Sequence, residues 1–218
     1  MSRNDSRTPA TPLIICFGDS LTAGYQSPTS EHPSIRETPY GAFLQQRLGS
    51  TARILVSGLC GELTEEMIRR FQPDVILKRP ASVVILGGTN DLGCMAQPED
   101  IMRNLAGMYD AALAAKVQPV AVTVPSIRIT VDVGAGDGLA WLDGHIQRRR
   151  ELNGLILRSC QERSLPCVDF FAATQEPDSG WLALPYSNDG LHLTTEWYRC
   201  LAELLYEEVF SRPAWMRP

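Results

Sequence analysis

The chain has 218 residues, of which 44% are hydrophobic and 21% are charged, and its formal net charge is −5 at pH 7. This length and composition are those of one ordinary globular domain, long enough to bury roughly 70% of its unfolded surface. The negative balance argues against a general role in binding nucleic acid or anionic membranes. No apolar run approaches the roughly 18 residues of a membrane span, so we expect no membrane-spanning segment.

The ends of the chain and its cysteines indicate the extent of the domain and its compartment. Residues 1–12 are polar and lack the apolar stretch of a signal peptide, which predicts a disordered lead, one domain over 13–211 and a tail over 212–218. The six cysteines show no C-x-x-C spacing, which argues against a zinc site or a thioredoxin-like motif. Free cysteines in apolar runs behave as small hydrophobes, so we expect a reducing, cytoplasmic location.

Short apolar runs alternate with segments of helical spacing along the chain. The runs have the length of buried strands and cover 13–17, 53–56, 82–86, 119–124 and 166–170. Helical spacing of apolar residues predicts helices near 40–48, 63–71, 98–112, 152–160 and 197–209. Strands that alternate with helices predict a parallel sheet covered on both faces. The expected fold is a three-layer α/β/α sandwich around a five-stranded parallel sheet with the flavodoxin-like strand order 2-1-3-4-5.

The first apolar run stops at Gly18, and Asp19 and Ser20 follow at once. Ligands of open parallel sheets bind at the carboxyl ends of the strands. A serine at that edge can expose its hydroxyl and keep a free backbone N–H, because the first N–H groups of a following helix are unpaired. One interpretation is therefore that Ser20 is a nucleophile; the other is that Asp19 or Ser20 only caps a helix. This stretch alone does not decide between them.

The ends of the other runs carry residues that would complete a nucleophilic site. A serine hydroxyl needs a base to accept its proton, and a carboxylate to orient that base. His192 and Asp189, three residues apart, can fill these two roles. The attacked carbonyl oxygen becomes an anion and needs N–H donors in place. The backbone of Ser20, a backbone N–H at Gly61 and the side-chain amide of Asn90 can supply them.

Together these segments resemble the SGNH/GDSL hydrolase family. The four blocks are GDSL at 18–21, CGE at 60–62, GGTND at 87–91 and DGLH at 189–192, in the family's order. The resemblance implies the SGNH hydrolase fold and a serine hydrolase that cleaves carboxylic esters through an acyl-enzyme. It implies Ser20 as the nucleophile, His192 as the base and Asp189 as its partner. It also implies an oxyanion hole of Ser20, Gly61 and Asn90, and no cofactor or metal.

The chain departs from the family pattern at Val56, where many members carry an asparagine before the glycine of the second block. This departure concerns how the turn at Gly61 is braced, and Gly58 stays an alternative backbone donor. Two further histidines compete for the role of base. Because His32 and His145 have no carboxylate at the family's spacing, we expect them to be surface or loop residues.

The resemblance leaves the substrate open, because the family includes short-chain esterases, thioesterases, lysophospholipases and carbohydrate deacetylases. The loops at 26–39 and 172–188 are polar and rich in proline, and no long apolar lid is evident, so we expect a small-molecule ester with a short acyl chain. Acyl transfer to an alcohol other than water is an alternative chemistry. A catalytically silent module that binds an acylated ligand is an alternative of a different class. The oligomeric state is left open.

Two further stretches carry predictions. Residues 125–144 are expected to be irregular and to border the same sheet edge, with apolar side chains at Ile127, Ile129, Val131, Leu139 and Trp141. This stretch is either a specificity wall for the substrate or a surface loop that packs on itself. The basic run at 148–150, followed by an acidic residue, is interpreted as a solvated helix face.

Overall fold

The computed structural model describes residues 11–128, 137–212 and 215, and of 137–140 only the backbone. The predicted lead therefore lies outside the described residues up to position 10. Trp215, in the stretch predicted as a tail, is buried, and its indole N–H donates to the carbonyl of Phe210 at 2.9 Å. The packed core thus includes at least one residue beyond the boundary predicted at 211.

Five strands form one parallel sheet, as predicted. They are β1 (Leu13–Gly18), β2 (Arg53–Gly58), β3 (Ser82–Leu86), β4 (Gln118–Val122) and β5 (Cys167–Val168). Their order across the sheet is β2-β1-β3-β4-β5, the expected 2-1-3-4-5. In the register of the sheet, Gly18 at the end of β1 lies between Gly58 and Leu86. A separate small hairpin pairs Tyr25–Gln26 with Arg36–Glu37.

Helices follow or separate the strands. They are α1 (Ser20–Ala23), α2 (Tyr40–Leu48), α3 (Thr64–Asp74), α4 (Thr89–Gly93), α5 (Pro98–Ala114), α6 (Asp137–Arg163), α7 (Phe170–Thr174) and α8 (Thr195–Leu205). Short 3₁₀ turns occur at Ile76–Lys78 and Leu184–Tyr186, and a π turn at Tyr206–Phe210 continues α8. Among the described helices, none has the length and apolar character needed to cross a membrane.

The side chains of β1 alternate between two cores, as a strand buried on both faces requires. Ile14 and Cys16 pack into a cluster with residues of α2 and α8. Ile15 and Phe17 pack into a second cluster with residues of α3, α5 and α6. Full burial of each such side chain contributes roughly 1.5–3 kcal/mol. The carboxyl end of β1 is therefore held firmly by both layers of the sandwich.

Two glycines allow the turn after β1 to pack against the neighbouring strands. A Cβ on Gly18 would lie 2.0 Å from the carbonyl oxygen of Leu86. A Cβ on Gly58 would lie 2.3 Å from the backbone nitrogen of Ala23. Real Cβ atoms do not approach backbone atoms so closely, so a side chain at Gly18 would push β1 away from β3, and one at Gly58 would push α1 away from the sheet. These glycines fix where the residues that follow β1 can sit.

The structure corrects the prediction for the stretch 125–144. Helix α6 begins at Asp137, so residues 137–144 are helical rather than irregular. Two glycines, at 138 and 144, lower the intrinsic helix propensity of this segment and conceal the helix in the sequence. Residues 129–136 lie outside the described part of the chain.

Candidate active site

Helix α1 places Ser20 directly at the carboxyl end of β1. The side chain of Asp19 accepts a hydrogen bond from the N–H of Leu21 at 2.9 Å, so Asp19 is the residue that caps this helix. Ser20 is the first residue inside the helix, and its hydroxyl is not needed for capping. Its Oγ lies 3.1 Å from Nε2 of His192. The capping role therefore belongs to Asp19, and the Ser20 hydroxyl faces His192.

The His192 ring lies between Ser20 and Asp189. Its Nδ1 is 2.7 Å from Oδ2 of Asp189. The other carboxylate oxygen, Oδ1, accepts the backbone N–H groups of Leu191 at 2.9 Å and of His192 at 2.7 Å. This pattern favours the tautomer with its proton on Nδ1, which leaves Nε2 free to accept the proton of the Ser20 hydroxyl.

The electrostatics keep Asp189 ionised. Burial alone would raise the pKa of Asp189, but hydrogen bonds from the His192 ring, from Ser27 and from backbone N–H groups outweigh it and hold that pKa well below its usual range. Ser27 donates its hydroxyl to Oδ2 at 2.5 Å across a separation of 162 positions. This contact could not be predicted from the sequence, because it joins residues of two distant loops.

Two neighbours restrict how the His192 loop can move. The Ser187 Oγ lies 2.5 Å from the carbonyl oxygen of His192 and accepts the N–H of Gly190 at 2.9 Å. The ring of Tyr25 packs against the imidazole, with 4.4 Å between the two centroids. The histidine is therefore held from both its backbone and its ring face.

The three candidate oxyanion donors, Ser20, Gly61 and Asn90, border one cavity of about 360 Å³ together with His192. The backbone N–H groups of Ser20 and Gly61 donate to no acceptor within the described residues. The Asn90 amide donates one hydrogen bond to the carbonyl of Glu62 at 2.9 Å. An amide nitrogen carries two N–H bonds, so the other remains for a ligand. Gly58, the alternative donor, borders neither this cavity nor its larger neighbour.

A partly buried arginine, Arg70, braces the loop that carries Gly61. The Arg70 guanidinium pairs with Glu62 at 2.5 Å and donates to the carbonyls of Gly18 at 3.0 Å and Ser57 at 3.2 Å. It thereby ties the end of β1 to the end of β2. Val56, where the family pattern has an asparagine, makes no polar contribution here, and Arg70 supplies the bracing instead.

A second brace links the loop to α4. The Asp91 carboxylate accepts both the N–H of Thr64, at 3.0 Å, and its hydroxyl, at 2.6 Å. Thr64 begins α3, so a negative charge lies at that helix's amino end, where the dipole favours it. Because Asn90 precedes Asp91, this contact fixes the spacing between the Asn90 amide and the Gly61 loop.

A second, larger cavity of about 650 Å³ adjoins the first and shares Gly61, Asn90 and Leu191 with it. Ile127 and Trp141, from the predicted specificity stretch, line it. Ile129 and Val131 of that stretch, and the side chain of Leu139, lie outside the described residues. The part of the stretch that is described therefore borders the site, as expected.

Two predictions about basic residues on α6 were wrong. His145 is buried on this helix, rather than being a surface or loop residue. Burial, with Arg149 and Arg148 nearby, lowers the pKa of His145 to about 3, so its ring is neutral. Arg149 is 1% exposed, whereas the 148–150 run predicted a solvated face; Arg150 alone of the three is exposed.

The remaining histidine of the chain is His32. His32 is exposed in the 26–39 loop, as predicted. Within the described residues, no group of three or more His, Cys, Asp or Glu side chains is arranged to hold a metal ion. All six cysteines are free thiols.

A serine, a histidine and an aspartate aligned at the carboxyl edge of a flavodoxin-like sheet define a class, the SGNH-type α/β/α proteins. The chain belongs to the GDSL-like lipase/acylhydrolase family, whose sequence model matches residues 16–200. In amino-acid sequence, it is 30% identical over 84 residues to the uncharacterized lipoprotein YqeF of Bacillus subtilis (strain 168). That match covers 38% of this chain and 34% of the lipoprotein, about a third of its length.

Solved structures resemble the whole fold. A GDSL-like lipase from Bacteroides thetaiotaomicron has a TM-score of 0.73 at 20% identity, over 94% of this chain and 91% of that one. A lipase/acylhydrolase from Enterococcus faecalis has a TM-score of 0.71 at 24% identity, over 92% and 96%. A carbohydrate acetylesterase family member from Sinorhizobium meliloti has a TM-score of 0.72 at 18% identity, over 94% and 99%. At these identities the likeness concerns the fold.

Proposed function

We propose that this protein is a serine hydrolase that cleaves carboxylic esters of short-chain acids through an acyl-enzyme. The observation that carries the proposal is the unbroken line from the Ser20 hydroxyl through His192 to Asp189, with contacts of 3.1 and 2.7 Å. Membership of an acylhydrolase family supports ester hydrolysis as the reaction. The cytoplasmic location remains a prediction from the sequence.

The geometry supports the following mechanism. The Ser20 Oγ attacks the ester carbonyl carbon while Nε2 of His192 accepts its proton. The resulting oxyanion is stabilised by the N–H groups of Ser20 and Gly61 and by the Asn90 amide. Collapse breaks the bond to the alcohol oxygen, and His192 returns the proton to the leaving alcohol. Water then repeats the sequence on the acyl-enzyme, which releases the acid and restores Ser20.

The preference for short acyl chains rests on the walls of the larger cavity. Arg149 contributes a buried guanidinium to that wall. A long alkyl chain beside a buried charge would remove water from the charge without replacing its interactions. The acetylesterase description of the Sinorhizobium meliloti relative agrees with a small acyl group.

A panel of 4-nitrophenyl esters tests this proposal. We expect the kcat/KM for acetate or butyrate to exceed that for laurate by at least about tenfold, because each poorly accommodated methylene costs transition-state binding. Initial rates of nitrophenolate release measure it, with each ester below its solubility limit. Faster turnover of laurate would contradict the short-chain assignment. The absence of turnover on every ester would favour the silent binding module.

The pH dependence of kcat/KM should show one acid limb, rising from pH 5 to a plateau that extends into mildly alkaline solution. Because the pKa of Asp189 is held low, that carboxylate stays charged over this range and cannot cause the limb. The mechanism needs a neutral imidazole to accept the serine proton, and histidine is the side chain that ordinarily changes charge between about pH 5 and 8. An optimum near pH 5 would exclude His192 as the base.

Asp19 needs a control in the same experiment. Burial raises its pKa to about 7, so it too loses a proton within the range of the limb. The Asp19→Asn variant keeps an N-cap oxygen for Leu21 but cannot titrate. We expect its acid limb to persist; a flat profile in Asp19→Asn would assign the limb to Asp19 instead of His192.

A further inference from the structure

Arg149 is the most deeply buried charged side chain that borders the substrate cavities, at 1% exposure. Its Nε donates to Nε2 of His145 at 3.2 Å, its Nη1 to the carbonyl of Pro125 at 2.5 Å and its Nη2 to the hydroxyl of Thr89 at 2.6 Å. A guanidinium has five N–H bonds. One N–H on each terminal nitrogen therefore has no acceptor among the described residues.

Neutral acceptors satisfy part of this guanidinium but do not balance its charge. No carboxylate of the described residues pairs directly with Arg149. Burial lowers its pKa to about 9, and the charge of Asp19 nearby opposes this shift. A buried charge without a partner is costly, and an anionic ligand would relieve that cost.

The other charged groups that line the larger cavity are already engaged or exposed. Arg128 pairs with Glu176 at 2.5 Å, and Asp189 is held by His192 and Ser27. Glu66 is exposed, and its carboxylate accepts the N–H of Leu63 at 2.9 Å. Arg149 is thus the cavity charge that remains available for a ligand.

The position of this cavity indicates which part of an ester would reach Arg149. The leaving alcohol oxygen must lie beside His192, which lines the smaller cavity and not the larger one. The acyl group would then extend past Gly61 and Asn90, which border both cavities, into the larger one. There it meets a flat wall in which the Trp141 ring stacks on His145, with 5.0 Å between their centroids.

We propose that the larger cavity is an acyl subsite in which Arg149 binds a carboxylate, so that the protein cleaves half-esters of short dicarboxylic acids. The inference rests on the proposed ester hydrolysis and specifies its substrate class. The planar fork of arginine matches a carboxylate with two parallel hydrogen bonds. The volume of about 650 Å³ lies within the range of small-molecule sites. Hydrolysis would release the alcohol and the free dicarboxylate.

The test compares monoethyl glutarate with ethyl valerate, which has the same chain length but no carboxylate. Release of ethanol gives kcat/KM for each, and we expect the wild-type ratio to favour the half-ester by at least about tenfold. Arg149→Met should lower that ratio at least about tenfold, to near one, because the charge-assisted pair is lost. Arg149→Lys should recover part of it, since lysine keeps the charge without the fork.

Arg150→Met, one position along α6 on an exposed side chain, is the matched control and should leave the ratio unchanged. A wild-type ratio near one would overturn the proposal. An equal loss of kcat/KM on both esters in Arg149→Met would also overturn it, because a residue that only supports the fold lowers both values alike.

Binding to the Ser20→Ala variant separates the subsite from the chemistry and does not depend on whether Arg149→Met folds. Calorimetry should detect monoethyl glutarate binding at least about tenfold more tightly than ethyl valerate. Tighter binding without turnover by the wild type would refute the hydrolase and leave the subsite standing. Turnover of ethyl valerate without any preference for the half-ester would refute the subsite and leave the hydrolase standing.

Discussion

Replacing Ser20 with alanine should lower kcat for ester hydrolysis by roughly 10⁴- to 10⁶-fold. The change removes the hydroxyl that lies 3.1 Å from His192, so no nucleophile remains to form the acyl-enzyme. The fold should persist, because Asp19 rather than Ser20 caps α1 and alanine is a good helix former. Initial rates with a 4-nitrophenyl butyrate substrate measure the loss.

Labelling with a fluorophosphonate gives an independent measure of the same residue. The wild type should take up one label per chain at Ser20, and Ser20→Ala none. Ser211→Ala is a matched control, because that exposed serine lies outside both substrate cavities and should keep full activity and labelling. His192→Ala added to Ser20→Ala should cause little further loss, since groups that act as a unit are not additive. A residual kcat within about tenfold of the parent would exclude Ser20 as the nucleophile.

Asn90→Ala should lower kcat roughly 10²- to 10³-fold, the usual loss of one oxyanion donor. KM should change little, since the charge that the amide stabilises develops mainly in the transition state. Saturation kinetics on a folded sample measure both constants. The variant would be inconsistent with the assignment if it folded fully and kept kcat within a factor of about three.

A control is needed because the Asn90 amide also donates to the carbonyl of Glu62, in the loop that carries Gly61. Asn104→Ala removes another amide that supports this region, by its 3.0 Å bond to the hydroxyl of Thr64, but it does not border the cavities. Its kcat should stay near that of the parent. A loss as large as that of Asn90→Ala would attribute the effect to loop support.

The sheet could be predicted from the sequence because its strands are short apolar runs that end at turn residues. The run before Gly18 and the run before Gly87 are buried on both faces, so they are uniformly hydrophobic and easy to recognise. The strand ends are harder to predict: the fifth strand is only Cys167–Val168, although the predicted run covers 166–170. Asp169 leaves the sheet there because its side chain caps α7.

The candidate site was predictable as far as it depends on residues in short, ordered blocks. The role of Ser27 could not be predicted, because nothing in a proline-rich loop indicates that its serine donates to a carboxylate 162 positions later. The prediction that Arg149 lies on a solvated helix face is wrong; it was suggested by the two neighbouring arginines. A signal was present in the spacing of Trp141, His145 and Arg149, which are four residues apart and share one face of a helix. The glycines at 138 and 144 obscured that helix.

Ser20 and His192 lie far apart in the sequence, and this separation determines when their contact can form. The two residues are 172 positions apart and meet only when the segment before α8 docks beside β1. A nascent or broken chain that carries the serine but not the histidine segment has a hydroxyl with no base, and such a hydroxyl is barely nucleophilic. Incomplete chains of this kind would therefore lack the proposed hydrolase activity.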